Sequence, residues 1–91
     1  MQLSFDPDKN ERNIQERGLD FNLATELDWA IALIDEDTRQ NYGERLYRVL
    51  ACIGERLYAL IFTPRAGMVH VISLRKANAR EVKHYGKTTQ P

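Results

Sequence analysis

Leu46-Tyr47-Arg48-Val49-Leu50-Ala51-Cys52-Ile53, then Gly54-Glu55-Arg56, then Leu57-Tyr58-Ala59-Leu60-Ile61-Phe62-Thr63: two apolar runs are divided by a short polar turn. A third run, Met68 to Leu74, follows Pro64-Arg65-Ala66-Gly67. Branched and aromatic side chains suit a pleated, half-buried surface, and Gly and Pro punctuate it. Strands joined by such short turns must run antiparallel to their neighbours, so the three runs predict an antiparallel meander.

Upstream, Leu3 to Phe5 reads as a short strand, and Asp6-Pro7 supplies a helix N-cap with Pro in the first turn. The helix should run to about Arg17 and end at Gly18. Its only strong apolar residue is Ile14, which places it on the surface, free to face a partner. Phe21, Ala24 and Leu27, with Ile31 beyond them, predict a second helix from about Asn22 to Trp29 that supplies a core face. Ala30 to Ile34 reads as a strand and residues 35–44 as a polar loop. Asn78, with Glu81 three positions on, forms a capping box for a terminal helix, which has Gly86 near its end. The expectation is an α+β domain over residues 1–86. It has an antiparallel sheet of about four strands, two N-terminal helices and one C-terminal helix, and a disordered tail over 87–91.

At 91 residues the chain suits one domain, since two halves would each be too small to bury a core. Its 43% hydrophobic and 29% charged content is ordinary for a soluble protein. No run approaches the roughly 20 apolar residues of a membrane span. The N-terminus lacks the regions of a secretory signal, and the single Cys52 cannot form an internal disulfide; both point to the cytoplasm. Cys52 sits in an apolar run and reads as a structural thiol. Gly-rich phosphate loops, paired-Cys metal patterns and nucleophile elbows are absent, so neither a metal nor a cofactor is expected.

The formal net charge of zero hides a polarised chain. Residues 1–38 hold three bases and ten acids, residues 39–64 four and two, and residues 65–91 six and one. A basic final third can meet an anionic partner despite the neutral total. In that third, Val71 to Glu81 passes from an apolar strand through Arg75-Lys76 into the capped helix. Basic side chains there can converge on phosphate with the N–H groups of a helix N-terminus. Arg65, Arg75, Lys76, Arg80, Lys83 and Lys87 are the bases available to such a surface.

Cleavage of a phosphodiester needs a nucleophilic oxygen deprotonated, an anionic phosphorane stabilised and a departing oxygen protonated. Arg65 and Arg75 suit the phosphorane, as planar forks for phosphate oxygens, and Lys76 adds a point charge. Arg80 is a further phosphate contact. His70, in the last strand, is the candidate acid or base, and the competing reading is a strand-face histidine hydrogen-bonded in place. Glu81 reads as a cap rather than a base, Tyr85 as packing rather than base stacking, and His84 as a solvated residue near a helix C-terminus. One conflict stands: His70 and Arg75 are an odd number of residues apart and face opposite sides of a regular strand. A bulge near Ser73 would remove it.

The order of motifs resembles the BrnT family of ribonuclease toxins from bacterial type II toxin–antitoxin systems. It comprises Phe5-Asp6-Pro7-Asp8-Lys9, Asn13-Ile14, Gly18-Leu19-Asp20-Phe21 and Ala24, Glu36-Asp37-Thr38-Arg39, Tyr42-Gly43-Glu44-Arg45, Phe62-Thr63 with Arg65, and Ile72 to Ala77 with Glu81 and Tyr85. Against the family pattern, Phe5 replaces the Trp before Asp-Pro, Arg17 a histidine, Pro64 an acidic residue and His70 an arginine. The resemblance implies a RelE-like fold, cleavage of cellular RNA that inhibits growth, and neutralisation by a BrnA-like antitoxin. Operator DNA would then be reached only through the antitoxin complex. A second hypothesis is a catalytically inactive interaction protein whose basic face docks the antitoxin. Direct DNA binding by this chain ranks third, without a helix-turn-helix or ribbon-helix-helix pattern.

Overall fold

The computed structural model describes residues 1–89. In chain order it contains β1 (Leu3–Phe5), α1 (Pro7–Arg17), two 3₁₀ segments (Phe21–Glu26 and Trp29–Ile31), β2 (Leu33–Asp37), β3 (Leu46–Ile53), β4 (Arg56–Arg65), β5 (Met68–Lys76) and α2 (Ala79–Thr89). The meander β2-β3-β4-β5 is antiparallel. The expected sheet of about four antiparallel strands is corrected to a mixed sheet of five, in the order β1-β5-β4-β3-β2. β1 lies parallel to β5, with Ser4 opposite His70. A parallel partner needs a long crossover, and here most of the chain intervenes, so no local turn announces the pairing.

The second N-terminal helix expected over 22–29 is not an α-helix. Leu23 N–H donates to Asp20 O at 3.0 Å and Leu27 N–H to Ala24 O at 3.4 Å, the i to i+3 pattern of a 3₁₀ turn. Phe21, Ala24 and Leu27 are spaced three apart, so a period of 3.0 stacks them on one face without the drift an α-helix would impose. Asp20 caps the segment by accepting from Asn22 N–H at 2.9 Å. Trp29 starts the second 3₁₀ segment, donates its indole N–H to Ala24 O at 2.8 Å and meets Phe62 edge-on at 6.1 Å. Where a strand is expected over residues 30–34, it starts at Leu33 and takes in Asp35-Glu36-Asp37. An edge strand tolerates that charge because one side faces solvent.

The core lies on one face of the sheet, where Phe21, Ala24 and Leu27 pack with Val49, Ala51, Leu60, Val71 and Leu74. The expected caps form on α1: Asp6 accepts from Asp8 N–H at 2.9 Å, and Gly18 closes the helix at φ 69°. What docks α1 is polar. Buried Asn13 donates from Nδ2 to Leu19 O and Leu74 O, both at 2.9 Å, and Asn10 Oδ1 accepts from Phe21 N–H at 2.7 Å. Beyond Phe5, where β1 ends, Asn13 thus satisfies a β5 carbonyl that no strand reaches. Of the tail expected to be disordered, 87–89 continue α2, and 90–91 lie outside the described residues.

Candidate active site

The face of the sheet opposite the core carries Arg48, Arg65, His70 and Arg75. By alternation along β4, Ala59, Ile61, Thr63 and Arg65 point to this side. Their partners on β5 are Arg75, Ser73, His70 and Met68. The register steps from Ile61 opposite Ser73 to Phe62 opposite Val71, which leaves Ile72 as the extra residue of a β-bulge. That bulge resolves the parity conflict and puts His70 and Arg75 on one face. It does not make them neighbours: their partners Thr63 and Ala59 are four residues apart, or about 13 Å along a strand.

Arg65 and His70 do meet. β4 ends at Arg65, and a two-residue turn, Ala66-Gly67, reverses the chain with both residues at positive φ, 52° and 75°. This type I′ geometry pairs Arg65 with Met68 and brings His70 back beside Arg65. Pro64, expected to open the turn, instead pairs with Val69 inside the hairpin. Arg65 Nη1 lies 3.1 Å from His70 Nε2, and Ser4 Oγ 2.8 Å from His70 Nδ1. A guanidinium can only donate, so Nε2 is the acceptor and the proton on Nδ1 is directed at Ser4. Burial, followed by the Arg65 charge, holds the His70 pKa below the ordinary imidazole value. Glu44 completes the cluster, its two oxygens accepting from Arg65 Nη2 at 3.2 and 3.3 Å.

Glu44 is delivered by the β2–β3 loop, which Asp37 organises from within. The buried Asp37 carboxylate accepts from Arg39 Nε at 2.9 Å, Arg39 Nη2 at 2.7 Å, Arg39 N–H at 3.2 Å and Tyr42 Oη at 3.2 Å. The Arg39 bonds hold its pKa far below the usual carboxylate range. Neither Glu44, quoted only within Tyr42-Gly43-Glu44-Arg45, nor Ser4 carries a chemical role in the sequence reading. Glu44 lies 21 residues from Arg65 in a polar loop, and Ser4 is 66 from His70, so no local spacing links either pair.

At the other end of the face, Arg75 is engaged within the fold. Its fork donates to Glu81 Oε1 and Oε2 at 2.7 and 2.9 Å. Glu81 also accepts from Asn78 N–H at 2.9 Å while Asn78 Oδ1 accepts from Glu81 N–H at 2.8 Å, the capping box expected from sequence. Arg75 accordingly lowers the Glu81 pKa. Lys76 and Arg80 are exposed, but Lys76 pairs with Tyr58, which packs toward the core, so alternation turns Lys76 to the opposite side of the sheet from Arg75, contrary to the shared basic surface expected from sequence. Arg48, Ile61, Ser73, Arg75, Glu81 and His84 line a groove of about 320 Å³ across this half of the face. Tyr85 anchors α2 by donating to Ile31 O at 2.9 Å. Cys52 is a half-buried free thiol.

A carboxylate and an imidazole that share one guanidinium between them can accept a proton, neutralise a phosphate and donate a proton. Among the described residues no helix is long and apolar enough to cross a membrane. A comparison with curated proteins found no matching relative. The family model that matches, over residues 5–81, is described as the ribonuclease toxin BrnT of type II toxin–antitoxin systems. That match covers both the hairpin that carries Arg65 and His70 and the loop that carries Glu44, and on it the chain belongs to the BrnT family of ribonuclease toxins.

Proposed function

We propose that this toxin is a metal-independent endoribonuclease in which Glu44, Arg65 and His70 carry the chemistry. The observation that supports this reading most is that Arg65 is hydrogen-bonded to Glu44 and His70 at once. Glu44 accepts the proton of the 2′-hydroxyl, whose oxygen bonds to phosphorus. Arg65 turns its donors to the phosphorane oxygens, where fixed positive charge lowers the barrier. As the bond from phosphorus to the 5′-oxygen breaks, His70 donates its Nε2 proton to that oxygen. The products are a 2′,3′-cyclic phosphate and a 5′-hydroxyl, with Glu44 protonated and His70 neutral; Glu44 then gives its proton to water, and His70 takes one from water when the next phosphate binds.

His70 is neutral in the free protein, where Arg65 occupies Nε2. An incoming phosphate reverses that bias, since its negative charge favours the imidazolium. Ser4 is a positioning residue that holds Nδ1. Arg75, about four residues along the strand from His70, is too far for the same phosphate and, with Arg80 at the start of α2, holds phosphates farther along the RNA, while Lys76 adds charge at the strand end. A BrnA-like antitoxin covers this basic face in the cytoplasm, and operator DNA is reached only through that complex.

The test is incubation of antitoxin-free protein with a defined RNA in EDTA, beside an Arg65→Ala variant, with analysis of the fragment ends. Cleavage that leaves cyclic phosphate ends and is lost in the variant supports the proposal. An inactive interaction protein would bind its antitoxin and leave the RNA intact.

A further inference from the structure

The first 38 residues carry ten acids and only three bases, Lys9, Arg12 and Arg17. All three bases line one groove of about 190 Å³ between α1 and the bulge of β5, together with Ile72 and Ser73. Glu16 is the single carboxylate in that lining, so the groove holds two more positive charges than negative ones. The most acidic third of the chain thus turns its whole basic complement toward one place. Positions 9, 12 and 16 recur at helical spacing, and Asn13 fixes their orientation by bonding to Leu74 O.

Lys9 and Arg12 form no ion pair among the described residues, in contrast to Arg39, Arg45, Arg65 and Arg75. Ser73 lines both this groove and the larger one that contains Arg48 and Arg75, so the two grooves meet there. Lys9 is also near enough to His70 for its charge to act on the imidazole. A chain of phosphates that passes His70 and continues over Ser73 therefore runs between basic residues of α1 on one side and basic residues of the sheet on the other.

We infer that α1 is a phosphate-binding wall of the RNA site: Lys9 and Arg12 hold the backbone next to the scissile phosphate as the strand leaves the Glu44–Arg65–His70 centre over Ser73. The inference rests on the ribonuclease reading of that centre and adds the path of the substrate. An acidic protein segment is the competing occupant. Lys9 and Arg12, which form no ion pair among the described residues, on one side of a track leading from a phosphate-cleaving centre, with Arg48 and Arg75 on the other, favour a continuous polyanion.

The experiment measures binding of an RNA oligonucleotide made uncleavable by 2′-deoxy substitution, over a range of salt concentrations. It compares the full chain with Lys9→Gln/Arg12→Gln, and with Arg56→Gln as a control. Each phosphate contact on a single strand contributes a slope of about −0.7 in log K against log salt. The double variant should lose about 1.4 from the slope, and the control nothing, at unchanged melting temperature. An unchanged slope overturns the inference, as does a double variant that keeps its RNA slope but loses affinity for a polyglutamate peptide. If the wild type shows the steeper slope yet cleaves no RNA, the catalytic reading fails and the wall stands. If the wild type cleaves while the slopes are equal, the wall fails and the catalytic reading stands.

Discussion

Replacing Asn13 by alanine should cost this domain a large part of its stability although no apolar contact of the core is removed. Asn13 is 6% exposed, and its Nδ2 is shared between two main-chain carbonyls, Leu19 O and Leu74 O, each at 2.9 Å. Alanine supplies no donor, and both carbonyls are then left in a region that water does not reach. One unsatisfied buried polar group costs about 1–3 kcal/mol, so with partial relaxation two cost about 2–4 kcal/mol. For a domain of this size each kcal/mol is about 5 °C in Tm, which places the variant about 10–20 °C below the wild type. Asn13→Asp keeps the shape but turns carboxylate oxygens toward both carbonyls, and should be at least as damaging at neutral pH. Urea denaturation followed by circular dichroism reads the difference. A loss below about 0.5 kcal/mol in both variants, the size of an ordinary surface change, would refute the reasoning.

Arg65→Ala should lower kcat by about 10²- to 10³-fold, the usual loss when one donor to a developing oxyanion is removed, while Arg75→Ala acts mainly on KM; steady-state kinetics on one RNA separate the two. Ala66→Asn should raise stability by about 0.5–1 kcal/mol in thermal melts, because a type I′ turn needs positive φ where Ala66 sits at 52° and asparagine tolerates it better. The folded-state pKa of His70 lies below its unfolded value, so its contribution is complete above about pH 6.5 and is lost as the pH falls through the folded value. The stability of the wild type should therefore fall relative to His70→Gln on acidification between about pH 7 and pH 5, and parallel curves would remove the effect.

Local chemistry made part of this molecule readable from sequence. The strands of the meander, the caps at Asp6 and Gly18 and the capping box at Asn78 and Glu81 each depend on residues a few positions apart. The 3₁₀ segment was misread because Phe21, Ala24 and Leu27 fit a period of three nearly as well as one of 3.6 over so short a window. The parallel pairing of β1 depends on residues 66 apart, for which a single sequence carries no signal. The same holds for the proposed site. Arg65 and His70 were legible because one hairpin carries both. Glu44 was not, since the bonds of Asp37 to Arg39 and Tyr42 shape the loop that delivers it. Arg75 looked equivalent to Arg65 by residue type, and only the register of β4 against β5 separates them.

The most direct measurement is cleavage, in EDTA, of an RNA whose scissile 5′-oxygen is replaced by bridging sulfur, by wild type, His70→Gln and Glu44→Gln. A thiolate leaves without being protonated, so the loss of a general acid is rescued and the loss of a general base is not. The account expects the sulfur substrate to restore His70→Gln to near wild-type rates while Glu44→Gln stays impaired. Rescue of Glu44→Gln, or a wild type that needs a divalent metal to cleave either substrate, would contradict it.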